Sequence, residues 1–217
     1  IRNDGNLGVK CHAGCTASEI LDALGLVWSD LQLNQKLPAT YIQQTSYLPT
    51  AEADAFWDSC MEVTCSQTAT DYLVGRGLDP HRVELMDSAR VITHATQHPS
   101  WARFSDRPWE ELGYNLIFPL YAPTGEIRSF KARNTKGREP KSISPRGYRI
   151  SGLAFACSEF WSLVDDAETA LHPVNYDLII AEGEIDFLTW QMLAPSNSSA
   201  VLGIFGGSFT RKWARSL

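Results

Sequence analysis

The sequence predicts an α+β region followed by the first half of an α/β unit. Three observations carry that expectation. The apolar run Leu178-Ile179-Ile180-Ala181 leads into Glu182-Gly183, then a helical pattern over Ile185–Leu193, then a second apolar run at Ala200–Phe205. Strand, helix, strand, with a further helix expected from about Thr210, implies a parallel sheet. Upstream, helical spacing over residues 51–87 gives way at Asn115 to an apolar run, a turn and an alternating return strand, which is a hairpin. With 217 residues and 44% hydrophobic composition the chain can bury a core, which excludes a disordered tail.

The elements follow in order. Asp4-Gly5-Asn6 is a turn signal, and Gly8-Val9-Lys10 is a short strand leading into Cys11. Thr16-Ala17-Ser18-Glu19 has capping-box spacing ahead of Ile20, Leu21 and Leu24, a short amphipathic helix. Residues 28–50 lack a period and contain Pro38 and Pro49, so they read as a linker. Ala55, Phe56, Cys60 and Val63 recur at helical spacing. A second helix runs from about Thr68 to Val74 and stops at Gly75-Arg76-Gly77, and Pro80 opens a third. Leu116–Tyr121, the turn Pro123-Thr124-Gly125-Glu126 and Ile127–Arg133 form the hairpin. Residues 153–156 add a strand, and Ser158–Ala170 a helix. Cys60 and Cys65 are expected to be core thiols. Trp101 and Trp109 stand in a polar stretch that would leave them exposed.

Charge and cysteine usage narrow the function classes. The net charge is −6, yet residues 128–149 hold Arg128, Lys131, Arg133, Lys136, Arg138, Lys141, Arg146 and Arg149 against one acid, Glu139. Such a stripe can grip phosphates on an otherwise acidic chain. There is no secretory signal, lipidation motif or long apolar span, so no membrane partner is expected. Five cysteines, an odd number, fit a reducing compartment rather than a disulfide framework.

Two motifs carry chemistry. A carboxylate at the end of a buried strand is costly unless it has a task, and the carboxyl ends of strands are where α/β sheets bind ligands. Glu182 is the candidate general base or metal-organising acid. Asp186, one helical turn on, is its helper. Cys11 and Cys15 bracket a tight turn and can supply two of the four ligands of a structural zinc.

Apolar strand, Glu-Gly-x-x-Asp, helix resembles the first half of the Toprim metal site, shared by bacterial-type primases, topoisomerases and some nucleases. Lys10 to Leu26 resembles the second knuckle of the zinc ribbon in phage and mobile-element primases. Arg76-Gly77-Leu78 is similar to the opening of the primase catalytic core. Ile117-Phe118-Pro119-Leu120, Gly125, Arg133 and Pro140-Lys141 match its basic hairpin, with Ser142 where that family usually has Tyr. The resemblance implies a bacterial or phage-type primase cut at both ends. Its expected parts are a partial zinc ribbon (1–27), a linker (28–50), an N-terminal subdomain (51–157) and an incomplete Toprim start (158–217).

Such an enzyme makes short RNA primers on single-stranded DNA from ribonucleoside triphosphates, in the cytoplasm, with a replicative helicase as a possible partner. The resemblance implies Mg2+ or Mn2+ at Glu182, Zn2+ at Cys11 and Cys15 once an upstream ligand pair is present, and phosphate contacts from Arg133, Lys141, Lys131 and Arg146. A complete Toprim site also needs an Asp-x-Asp, and no Asp follows Asp186, so the fragment alone is expected to be inactive. The alternatives are a Toprim nuclease or topoisomerase-like enzyme, or a non-catalytic single-stranded nucleic-acid-binding module.

Overall fold

The computed structural model describes residues 16–24, 46–94, 96–169, 177–195, 198–205 and 213. Two compact units are present, Ile1–Gln43 and Gln44–Leu217. In the first, the described element is helix α1, Ala17–Leu24. The Glu19 carboxylate accepts the Thr16 backbone N–H at 2.7 Å, and the Thr16 hydroxyl accepts the Glu19 N–H at 3.3 Å. Two otherwise orphaned donors are satisfied reciprocally, as the capping-box spacing predicts. Cys11, His12 and Cys15 lie outside the described residues, as does the linker up to residue 45.

The second unit begins with packed chain. Leu48 is fully buried, and its N–H donates to the Arg128 carbonyl. Three short helices follow: α2 (Thr50–Ser59), α3 (Gln67–Val74) and α4 (Pro80–Leu85). The helical spacing from Phe56 to Val63 does not belong to one helix. Cys60 leaves α2 in extended conformation, and Val63 opens a separate 3-10 turn, Val63–Cys65. The apolar periodicity survives because Phe56 and Cys60 enter one core and Val63 another. Cys65, expected in a core, is exposed; its turn points it outward.

The hairpin is the backbone of this unit. Strands β4 (Tyr114–Tyr121) and β5 (Ile127–Asn134) pair antiparallel, with β1 (Arg90–Val91) outside β4 and β6 (Ser142–Ile143) outside β5. A small separate hairpin, β2 (Arg103–Phe104) and β3 (Arg107–Pro108), precedes β4. The sheet separates two cores because side chains alternate across a strand. One face puts Leu116, Phe118 and Leu120 into the first core. The other puts Ile117, Phe130 and Ala132 into an aromatic cluster with Phe56, Trp57, Trp101 and Trp109. A strand buried on both faces reads as a continuous apolar run, which is how β4 announced itself.

Trp101 and Trp109 are 4% and 0% exposed, so the polar flanks misled. Their rings sit edge-on to Phe56, and Trp101 stacks on Phe130 with centroids 6.0 Å apart. The residues beside them in sequence form the small β2–β3 hairpin and neighbouring turns.

The first core joins the hairpin to a mixed sheet of β7 (Phe155–Ala156), β8 (Asp177–Glu182) and β9 (Ser199–Ile204), in order β7-β9-β8. The β8–β9 pair is parallel, crossed over by α6 (Glu184–Leu193); β7 adds antiparallel. Helix α5 (Ser158–Thr169) precedes β8 and packs Phe160 against buried Trp213. Gly203 on β9 allows the close approach of neighbours: a Cβ there would meet Phe155 at 2.8 Å and Phe187 at 2.9 Å.

Candidate nucleotide and metal site

Alternation along β5 places Lys131 and Arg133 on one face, toward the α/β sheet. Across the ladder they stand opposite Phe118 and Leu116. Both cations are partly buried, and each has a defined partner. The Lys131 ammonium lies 5.1 Å from the centre of the Phe205 ring. Burial lowers its pKa, and the nearby Glu184 carboxylate opposes that shift. The Arg133 guanidinium donates to Glu184 Oε1 at 2.9 Å and lies 5.7 Å from the centre of the Tyr72 ring.

Glu184 is the first residue of α6 and is only 7% exposed. It follows Gly183, whose φ of 88° lets the strand turn into the helix. Burial pushes its carboxyl up. The Ser142 hydroxyl, a backbone N–H and Arg133 outweigh that and hold it below the ordinary 4.5. Ser142 on β6 donates to the carboxylate oxygen that Arg133 also contacts. One buried acid therefore ties α6 to β5 and β6. Sequence reasoning missed Glu184, although the acid pair at the helix start was visible. The available signal was its place in the first turn, opposite a strand with cations two apart.

Glu182 ends β8, paired in register with Ile204, and is exposed. Asp186 is also exposed, in the first turn of α6. The two acids flank buried Glu184, so the short segment carries one structural acid and two solvent-facing ones. Among the described residues no group of three or more His, Cys, Asp or Glu is gathered as a metal cage. Two exposed carboxylates suit a magnesium ion that takes its remaining ligands from water and substrate phosphates.

Lys141 is exposed immediately before β6, and its carbonyl accepts the Asn134 N–H. Arg146 is elsewhere: its guanidinium donates to Asp106 at the tip of the β2–β3 hairpin, at 3.1 Å. Glu184 thus joins Arg133, Lys131 and Ser142 in one cluster, while Arg146 lines a different cleft.

No family model matches the chain, and no curated protein does. Solved structures are similar in fold. The Aquifex aeolicus primase, comprising zinc-binding and RNA polymerase domains, superposes with a TM-score of 0.50 at 17% identity, over 91% of this chain and 49% of that one. The RNA polymerase domain of Mycobacterium tuberculosis primase DnaG with double-stranded DNA gives 0.48 at 17% identity, over 77% and 59%. A DnaG primase catalytic domain bound to single-stranded DNA gives 0.47 at 17%, over 76% and 58%. The chain therefore spans half to three fifths of the length of these structures, and it shares the mixed α/β fold of the primase core.

Proposed function

We propose that this chain is the core of a DNA primase of the phage or mobile-element type, which makes short RNA primers on single-stranded DNA. The single observation that carries the reading is the joining of the acidic strand end to the basic hairpin through Glu184. Cations for phosphate and carboxylates for a metal flank one ion-paired cluster, on elements far apart in sequence.

In this reading Glu182, with Asp186 as its helper and the Asp-x-Asp that a complete Toprim site needs, would hold Mg2+ or Mn2+ with the incoming ribonucleoside triphosphate. The ion supplies charge neutralisation at the phosphates when bound. Arg133, fixed by Glu184, would add a charge-assisted contact to phosphate oxygens. Lys141 and Lys131 add positive charge beside it. The primer 3′ hydroxyl attacks the α-phosphorus in line, and pyrophosphate leaves. Glu182 would receive the hydroxyl proton or organise the ion that favours its loss. Cys11 and Cys15 would supply half of a zinc-ribbon site if an upstream ligand pair is present, and such a ribbon would bind template.

The test is labelled ribonucleotide incorporation on single-stranded DNA by the protein with its natural termini, wild type against Glu182→Gln. Incorporation in the wild type and its loss in the variant supports the reading. Template cleavage instead of incorporation moves the protein to the Toprim nucleases. Salt-sensitive DNA binding with no chemistry leaves a binding module.

A further inference from the structure

We propose that the cleft between the β2–β3 hairpin and the segment following β6 is a base-stacking subsite for single-stranded nucleic acid. The cleft encloses about 570 Å³, within the size range of small-molecule sites. Phe104 and Tyr148 give it aromatic walls, and Arg103 and Arg146 give it cations. Asp106 is the one acid among its lining residues, so the lining is net positive.

Each part is prepared differently. Phe104 is held edge-on to Tyr114, with ring centroids 6.0 Å apart, so one wall is fixed before anything binds. Arg146 is 71% exposed, and its Asp106 partner is 91% exposed. An exposed pair of this kind holds its arginine weakly and leaves it available to a phosphate.

The segment continues the same chemistry. Arg149 lies over the Tyr47 ring at 5.4 Å, and Arg128 lies over that ring at 5.6 Å. Rings alternating with guanidinium groups are what sequence-tolerant single-strand binding uses: stacking for bases, positive charge for the backbone. An acidic peptide would engage the arginines and gain little from the rings. Ile143 lines the cleft, while its neighbour Ser142, on the opposite face of edge strand β6, reaches Glu184. A single strand lying in the cleft would have to round the β6 edge to reach Arg133. The primase reading supplies only the identity of that strand as template.

The experiment measures anisotropy of a labelled oligothymidylate of about 12 nucleotides, and of an abasic backbone of equal length, on the 217-residue chain. Wild type is compared with Phe104→Ala/Tyr148→Ala and with Arg146→Gln. The double variant should weaken oligothymidylate binding about thirtyfold, with the abasic strand changed less than about twofold. Arg146→Gln should weaken both strands and reduce the salt slope by about one. Unchanged oligothymidylate binding by a double variant with wild-type circular dichroism overturns the proposal. If that variant misfolds, photocrosslinking of a bromouracil oligonucleotide to the wild type decides: adducts at Phe104 or Tyr148 support the subsite, and adducts only elsewhere overturn it. A polyglutamate peptide whose binding depends equally on both rings would also overturn it. Ring-dependent binding by this chain, together with no incorporation by the protein with its natural termini, would keep this subsite and sink the primase reading. Incorporation with an unchanged template KM in the double variant would do the reverse.

Discussion

Two arginine–carboxylate pairs in this molecule have almost the same length and opposite surroundings. Arg133–Glu184 measures 2.9 Å, with side chains 14% and 9% exposed; Arg146–Asp106 measures 3.1 Å, with side chains 71% and 91% exposed. Distance alone would rank them equal. Water decides otherwise. In the buried pair, losing one partner strands a charge in a poor solvent, so the pair fixes geometry. In the exposed pair, water and salt replace either partner, so the arginine is available for exchange. The first pair is suited to positioning a group and the second to capturing a ligand.

The largest effect should come from Glu184→Ala, which leaves Arg133 without its carboxylate. Its expected cost is about 3–5 kcal/mol of folding stability, read from urea unfolding. A smaller loss would mean that water reaches Arg133 freely, and the contrast between the pairs would collapse. Replacing both partners, Arg133→Leu with Glu184→Leu, should recover most of that stability, because no charge is then stranded. The same double variant should still lose nucleotide binding, measured by titration calorimetry. Together these outcomes separate the structural role of the pair from its use of phosphate.

Acid should sharpen the contrast next. Glu184 has a folded pKa held below its ordinary 4.5. Its contribution is therefore fully present above that value and is lost as pH falls below 4.5 toward the folded value. A Glu184→Gln variant should show a flatter stability curve over that interval than wild type, followed by circular dichroism in denaturant. An equally steep curve would assign the acid sensitivity to other carboxylates. The smallest effect is expected for Arg146→Ala, within about 0.5 kcal/mol of wild-type stability. A larger loss would make the exposed pair structural and weaken its availability to a ligand.

The elements that could be read in the sequence were those whose signal is local. The Thr16–Glu19 capping box, the stop of α3 before Gly75, Pro80 at the start of α4 and the apolar run of β4 all have short-range causes. The Phe56–Val63 periodicity misled because two elements entering two cores happened to share one spacing. Trp101 and Trp109 misled because the residues beside a ring in sequence are not those around it in space. Among the site candidates, Arg133, Lys131, Glu182 and Asp186 were visible as types at meaningful positions. Glu184 was visible only as one more acid.

By itself the sequence determined the alternation of β5, which commits Lys131 and Arg133 to one face, and the strand-glycine-helix junction that carries Glu182, Glu184 and Asp186. Only the tertiary structure decided which of those acids is buried. The reason is physical. A carboxylate's burial and pKa depend on what other elements bring to it, here the Ser142 hydroxyl and the Arg133 guanidinium, 42 and 51 residues away along the chain. Local pattern fixes the direction in which a side chain leaves its own backbone, and packing between distant elements fixes what it meets.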